Sequence, residues 1–382
     1  MVGSCLIVGI IVATFAANPA AAYLTFGQGF SSKWGDDPQF GTGAIVTWGY
    51  MLDGTEAHPS LPDYAGLDGT SQIGTLRSSI DGTYGGGAFD AAIQNAFDTW
   101  SAAANITFVG PLADSGLPAG QQGSTSPQIR IGAFHADPDH DFRFIGAIGY
   151  GPTGIVTPEE DFSGAGDVFF NLDAGFQVVS GTEDGTLIDY NLGNDLEGLF
   201  LHELGHAAIG LGHPPWAGED PDQRVMYVGD FFNHPEWPEC CYTINRQLHA
   251  DDVAGAQYVY GVRGDYNRDG RVDAADYTVW RDTRGQNVTS GSGADGNVDG
   301  MVDQLDYELW TTHFGDVALA GFGEQPYFAA AAGSTSVSVE SNAVPEPATW
   351  IAVATLAACA LLTQRGRFLC LSTTHRNHPR PE

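Results

Sequence analysis

This chain is nearly without lysine. Of its 382 residues only 15 are Lys or Arg, and Lys33 is the single lysine, against 47 Asp or Glu and a net charge of −32. A surface that negative repels phosphate backbones, so nucleic-acid binding is excluded as a function class. Cysteine is scarce as well. Of five, Cys5, Cys359 and Cys370 lie in the terminal segments, which leaves the neighbours Cys240 and Cys241. No disulfide framework can be built from them; they read either as a strained vicinal disulfide or as two thiols. With 51 glycines, about twice the ordinary share, a helical bundle is disfavoured and loops, turns and strands are favoured. The 43% hydrophobic content separates the chain from disordered acidic sequences.

Both ends carry apolar segments. Residues 1–22 have no charged side chain, an apolar run from Leu6 to Ala16, and small residues at Ala20-Ala21-Ala22. They read as a secretory signal peptide that lacks the usual basic n-region. Near the other end, Ala348 to Leu362 is apolar or small, a little short for a membrane span. It lies between Val344-Pro345-Glu346-Pro347 and the basic Arg365-Gly366-Arg367, which would stay on the cytoplasmic side. Pro-Glu-Pro, an apolar segment and a basic end together resemble the PEP-CTERM sorting signal (residues 343–382). The resemblance implies export, a transient inner-membrane anchor, and processing by an exosortase-type partner. Residues 317–342, rich in Ala, Gly, Ser and Val without periodicity, read as a flexible linker.

Residues 23–262 have a mixed α and β texture. Strands are predicted at residues 45–50, 105–109, 129–131, 145–148 and 168–170. Phe89, Ala92, Ile93, Ala96, Phe97 and Trp100 share one face of a helix over 88–104. A second helix is predicted from Asn194, with Glu197 completing a capping-box-like start, and a third over 250–260. On the second helix stands His202-Glu203-Leu204-Gly205-His206, followed by Gly210 and His213. Histidines at i and i+4 project from one side of a helix and can grip one ion, and neutral imidazole suits zinc. Glu203, beside the first histidine, is placed to act as general base toward an attacking water without itself ligating. Gly210 permits the turn that returns His213 as a third ligand.

These residues resemble the metzincin metallopeptidases, most closely the matrixin-like branch. Val225-Met226-Tyr227 matches the family's Met-turn, and Ala250 to Gly261 its closing helix. The resemblance covers residues 23–262. It implies a twisted mixed sheet with three helices, one catalytic zinc on His202, His206 and His213, a protein or peptide substrate, and Met226 beneath the metal. Two departures stand out. Glycine and third histidine come one residue late, so Ala207, Ala208 or Ile209 must be absorbed by a further helical residue or a bulge. The fallback ligand is a carboxylate from Glu219, Asp220 or Asp222. The positions matched to a structural zinc carry Tyr150 and Phe169, which cannot ligate, so that zinc is not expected; a calcium on Asp137, Asp139 or Asp167 is the unspecific remainder. Cysteine-based latency is excluded, since no cysteine lies between residues 6 and 239. Tyr227 follows the methionine directly, one position early for an oxyanion-stabilising tyrosine, so zinc would serve as electrophile.

Residues 263–316 contain a repeat with a spacing of 30. Asp265, Asn267, Asp269, Arg271, Asp273 and Asp276 recur in register as Asp295, Asn297, Asp299, Met301, Asp303 and Asp306. In each half these are positions 1, 3, 5, 7, 9 and 12 of an EF-hand-type calcium loop, with Gly270 or Gly300 at the sharp turn and position 7 offering its carbonyl. Tyr277/Trp280 and Tyr307/Trp310 follow on the next helix of each half. The pair resembles a dockerin type I module, which implies two calcium ions and a cohesin-like partner; a calcium-stabilised spacer is the other reading. The whole reads as an α+β metallopeptidase domain followed by a small α-helical EF-hand-like module. The expectation is an exported zinc endopeptidase, secreted or held at the cell surface or extracellular matrix. The alternative is a non-catalytic matrix or adhesion protein on a decayed peptidase fold, which the one-residue shift would support.

Overall fold

The computed structural model describes residues 24–25, 33–59, 66–137, 146–152, 163–181, 187–189, 192–213, 225–226 and 241–319. All belong to one compact unit, residues 1–328. The signal peptide, most of the linker and the sorting signal fall outside the described residues, as do Asp139, Glu219, Asp220, Asp222, Tyr227 and Cys240. Among the described residues no helix is long and apolar enough to cross a membrane.

In chain order the elements are β1 (Leu24–Thr25), β2 (Ala44–Tyr50), β3 (Leu67–Asp68), α1 (Ile73–Tyr84), α2 (Ala88–Ala103), β4 (Ile106–Val109) and β5 (Ile129–Ala136). Next come β6 (Ala147–Gly149), β7 (Asp167–Asn171), β8 (Phe176–Gln177), β9 (Leu187–Asp189), β10 (Asn194–Asp195) and α3 (Leu196–Leu204). A π turn (Gly205–Ile209), β11 (Leu211–Gly212), β12 (Cys241–Thr243), α4 (Ala250–Tyr260), α5 (Ala274–Thr283) and α6 (Gln304–His313) complete the set. The main sheet runs β4-β2-β5-β7-β6, with β3 pairing β5. The β4-β2-β5-β7 run is parallel, and β6 joins β7 antiparallel. The fold is therefore mixed α+β.

The five predicted strands and three predicted helices are present, with small shifts at their ends. A fourth helix, α1, joins the three, and composition concealed it. Its sequence, with two glycines and several Ser and Thr, has low helix propensity. Burial of Ile73, Leu76 and Ile80 against the sheet overrides that cost.

The start of α3 also differs from expectation. Asp195 is the N-cap, its carboxylate accepting from Gly198 N at 3.2 Å and pairing with buried Arg246. Glu197 instead accepts from Asn95 Nδ2 at 3.1 Å, so no reciprocal box forms. With Arg246 fixing its carboxylate, Asp195 already supplies the cap one residue later than predicted.

One face of the sheet carries the principal core. Trp48, Ile131 and Phe170 meet Phe89, Phe97 and Trp100 of α2 and Phe200 and Leu201 of α3 there. The other face packs Met51, Phe134, Tyr150 and Phe169. Tyr150 and Phe169 thus serve as packing groups. Buried Arg130 gathers the segment after β4: it pairs with Asp114 at 2.7 Å and donates to the carbonyls of Leu117, Pro118 and Gln121. Asp167, offered above as a possible calcium ligand, accepts from Gly120 N and Gln122 Nε2 and faces Arg130 at 3.9 Å.

The repeat segment is continuous with this body. Arg263 donates to the carbonyls of Ser101, Ala104 and Ile106, and Leu319 N donates to Gln257 Oε1. In each half Asp273 or Asp303 caps the following helix, and Trp280 and Trp310 donate to the carbonyls of Asp303 and Asp273. The two halves are thereby tied reciprocally.

Candidate metal centre

Packing fixes α3 before any chemistry is considered. Its buried face, Leu196, Phe200, Leu201 and Leu204, lies on α2, and Trp100 Nε1 donates to Leu201 O at 2.9 Å. The opposite side carries His202, and His206 follows one turn on, in the π turn. Between them Gly205 allows a close approach, since a Cβ there would overlap the sulfur of Met226 and crowd Trp100. Met226 is thus packed under the turn that bears the second histidine.

Against the spacing that the resemblance implies, the surplus residue falls within the π turn over Gly205–Ile209, which contains all three candidates, Ala207, Ala208 and Ile209. Gly210 closes it in the left-handed region (φ 79°, ψ 24°), where its N–H reaches the carbonyls of Gly205 and His206. An i to i+5 closure holds five residues where an α turn holds four. The chain therefore leaves the helix without the rotation an inserted α-helical residue would impose. Leu211 and Gly212 then pair antiparallel with Leu24 and Thr25, and His213 follows. The one-residue shift does not separate His213 from the other two histidines.

The three Nε2 atoms form a small triangle: His202 to His206 3.2 Å, His202 to His213 3.1 Å, and His206 to His213 2.9 Å. Tetrahedral ligands at about 2.0–2.1 Å from a zinc ion are about 3.3–3.4 Å apart, so the triangle fits one ion with slight opening. The tautomers agree. His202 Nδ1 lies 2.6 Å from Val225 O and His206 Nδ1 2.6 Å from Leu211 O, and a carbonyl can only accept. Both Nδ1 atoms are therefore donors, and both Nε2 atoms present lone pairs. The contact between those two Nε2 atoms cannot be a hydrogen bond, and a proton on His213 could serve only one of them at a time. A cation serves all three.

Burial reinforces this. It pulls His202 down to about 4, His206 well below its ordinary value, and His213 down as well. The imidazoles are thus neutral ligands near pH 7. Glu203 is buried, and desolvation raises its carboxyl to about 8, opposed by a hydrogen bond from the Gly149 backbone. Among the described residues, His202, His206 and His213 are the one group of three or more His, Cys, Asp or Glu whose ligand atoms lie within 4.8 Å of one another.

The repeat loops are alike in detail but are not gathered to that degree. Asp265 accepts from Asp269 N and Gly270 N, and Asp295 from Asp299 N and Gly300 N. Asn267 and Asn297 accept from Asp269 N and Asp299 N, while Asp269 and Asp299 accept from Arg271 N and Met301 N. Asp276 and Asp306, fully buried, draw in Asn267 N and Asp273 N, or Asn297 N and Asp303 N. Arg268 and Val298 take positive φ at position 4 of each loop.

Sequence reasoning missed the residue that holds Val225 and Met226 in place. Asp252 of α4, 1% exposed, accepts from Val225 N at 3.0 Å, Met226 N at 3.3 Å and His249 N at 3.0 Å. Val225 O in turn accepts from His202 Nδ1, so Asp252 orients one imidazole of the triangle through one residue. Its position offered one weak signal, an acid three residues after the N-cap. Nothing marked it as buried. Compared with protein-family models and with curated proteins, the chain matches none.

Proposed function

We propose that the chain is an exported zinc-dependent endopeptidase of the matrixin-like metzincin kind. The observation that carries this reading is the convergence of three imidazole Nε2 atoms, 2.9–3.2 Å apart, with buried Glu203 next in sequence to the first of them. Three neutral nitrogens, two with their other ring nitrogen tied to a carbonyl, form a donor set that zinc favours. When bound, zinc polarises the substrate carbonyl and acidifies water.

Glu203 takes a proton from the attacking water and returns it to the departing amine nitrogen. Burial has already moved its carboxyl up to about 8, and a cation nearby lowers that value toward neutrality, where a carboxylate can both accept and give a proton. Substrate access is supported by β6. It is the edge strand of the main sheet, Gly149 at its end donates to Glu203, and among the described strands it pairs only with β7. An extended peptide can add to such an edge and pass the glutamate.

Two calcium ions belong, on this reading, to the loops Asp265–Asp276 and Asp295–Asp306, whose positions 1, 3, 5, 7, 9 and 12 supply oxygen. The dockerin-like pair would attach the enzyme to a cohesin-like partner after export. The test is zinc content with proteolysis. The mature protein should hold about one zinc per chain and cleave casein or gelatin, and Glu203→Gln should keep the zinc and lose cleavage. Full zinc without hydrolysis across a peptide library would overturn the assignment.

A further inference from the structure

The π turn leaves its own carbonyls to be satisfied, because the last turn of a helix has no further N–H groups to offer. Gly210 N covers those of Gly205 and His206. The next two, on two of the three candidates for the surplus residue, are met from outside the helix. Trp34 Nε1 donates to Ala207 O at 2.9 Å, and the Tyr260 hydroxyl donates to Ala208 O at 2.7 Å. The two aromatics are themselves linked, Trp34 N donating to the Tyr260 oxygen at 3.2 Å. Lys33, the chain's one lysine, lies 5.2 Å from the centre of the Tyr260 ring and is anchored to Thr42 Oγ1 at 2.7 Å. Trp34 comes from the segment before β2 and Tyr260 from the last turn of α4, so the chain's two ends of this domain converge on the turn.

We propose that Trp34 and Tyr260 are positioning residues for His213: by holding the carbonyls of Ala207 and Ala208, they fix the inserted residue as a π turn and so set where the third imidazole returns to His202 and His206. This rests on the metal reading above and goes beyond it by assigning roles to two residues that touch neither ion nor substrate. An α-helical exit over the same residues would carry Gly210 on by about 100° and take His213 away from the triangle. Loss of either side-chain donor orphans a buried carbonyl of the π turn and removes the reason for that turn to persist.

Trp34→Phe and Tyr260→Phe each remove one donor while keeping a ring. In the full chain, zinc affinity measured by competition with a chromophoric chelator should fall about tenfold for each, the range seen when a group orienting a ligand is removed. The double variant should fall further. Cobalt-substituted protein should show a weakened, altered visible spectrum as one imidazole is lost from the ion. The decisive arm repeats both substitutions on a His213→Ala background, where they should change zinc affinity by less than about twofold, since the ligand they position is gone. Affinities within twofold of the parent for both single variants and their double would overturn the proposal. So would equal losses on the His213→Ala background, which would indicate a general structural role. A parent that binds no zinc would overturn the metal reading and this proposal together, whereas a zinc-binding parent with indifferent variants would overturn this proposal alone.

Discussion

Replacing Glu203 by glutamine should abolish proteolysis and at the same time make the metal-stripped protein more stable at alkaline pH. Glu203 is 6% exposed, and burial raises its carboxyl from 4.5 to about 8. The folded state therefore favours the neutral acid. That contribution is fully present below pH 4.5, the unfolded value, and is lost as pH rises through 8. At about 1.36 kcal/mol per pH unit, the loss across this window is about 4–5 kcal/mol. Glutamine does not titrate and still offers an oxygen to Gly149, but its amide NH2 needs a partner in the same pocket, at a cost of about 1–2 kcal/mol. The metal-stripped variant should thus be less stable than the parent by about 1 kcal/mol at pH 5 and more stable by about 3 kcal/mol at pH 8. The histidines titrate equally in both proteins and cancel in the difference. Paired melts of chelator-treated protein at pH 5, 6.5 and 8 measure the crossing, a swing on the order of 10 °C for a domain of this size. Parallel pH profiles for the two proteins would refute the reasoning, because they would mean that Glu203 is solvated.

Further expectations concern the supports of the site. Asp252→Ala should orphan the N–H groups of Val225, Met226 and His249, destabilise the fold by about 3–5 kcal/mol and weaken zinc about tenfold, checked by melts and chelator competition; a variant with parental affinity would detach Asp252 from the metal. Because burial already holds His202 near 4 and His206 well below its ordinary value, zinc should be retained on dialysis down to about pH 5. Release centred near pH 6.5, where solvated imidazoles protonate, would contradict this. Calcium at a hundredfold excess over its dissociation constant should stabilise by about 2.7 kcal/mol per loop. Since Arg263 and Gln257 join the loop segment to α2, β4 and α4, chelation should lower the melting of the whole body in a single transition. An early, separate transition of the repeat alone would count against that coupling.

The local signals were strong where residue type and period coincide. His202 and His206 are legible because a helix repeats its face every three or four residues, and Glu203 because it stands beside the first of them; that Glu203 and His206 are buried was not legible. The paired loops are legible because glycine and aromatics recur in register with the carboxylates. Helix α1 was hidden, since its glycines and hydroxyls argue against the very helix that its three apolar side chains stabilise by burial. Asp195 displaced the predicted cap because Arg246, 51 residues away, pairs with it.

His213 marks the boundary between the two kinds of knowledge. From the sequence one could count the surplus residue and name Ala207, Ala208 and Ile209 as its candidates, and one could say that some compensation was required. Whether that compensation is a longer helix or a bulge is not written in the local residue types. The choice is made by Trp34 and Tyr260, brought to Ala207 and Ala208 from 173 and 52 residues away. Hydrogen bonds of that range leave no period in a sequence, so residue types and spacing determined the donors of the site, and tertiary packing alone decided that the third donor meets the other two.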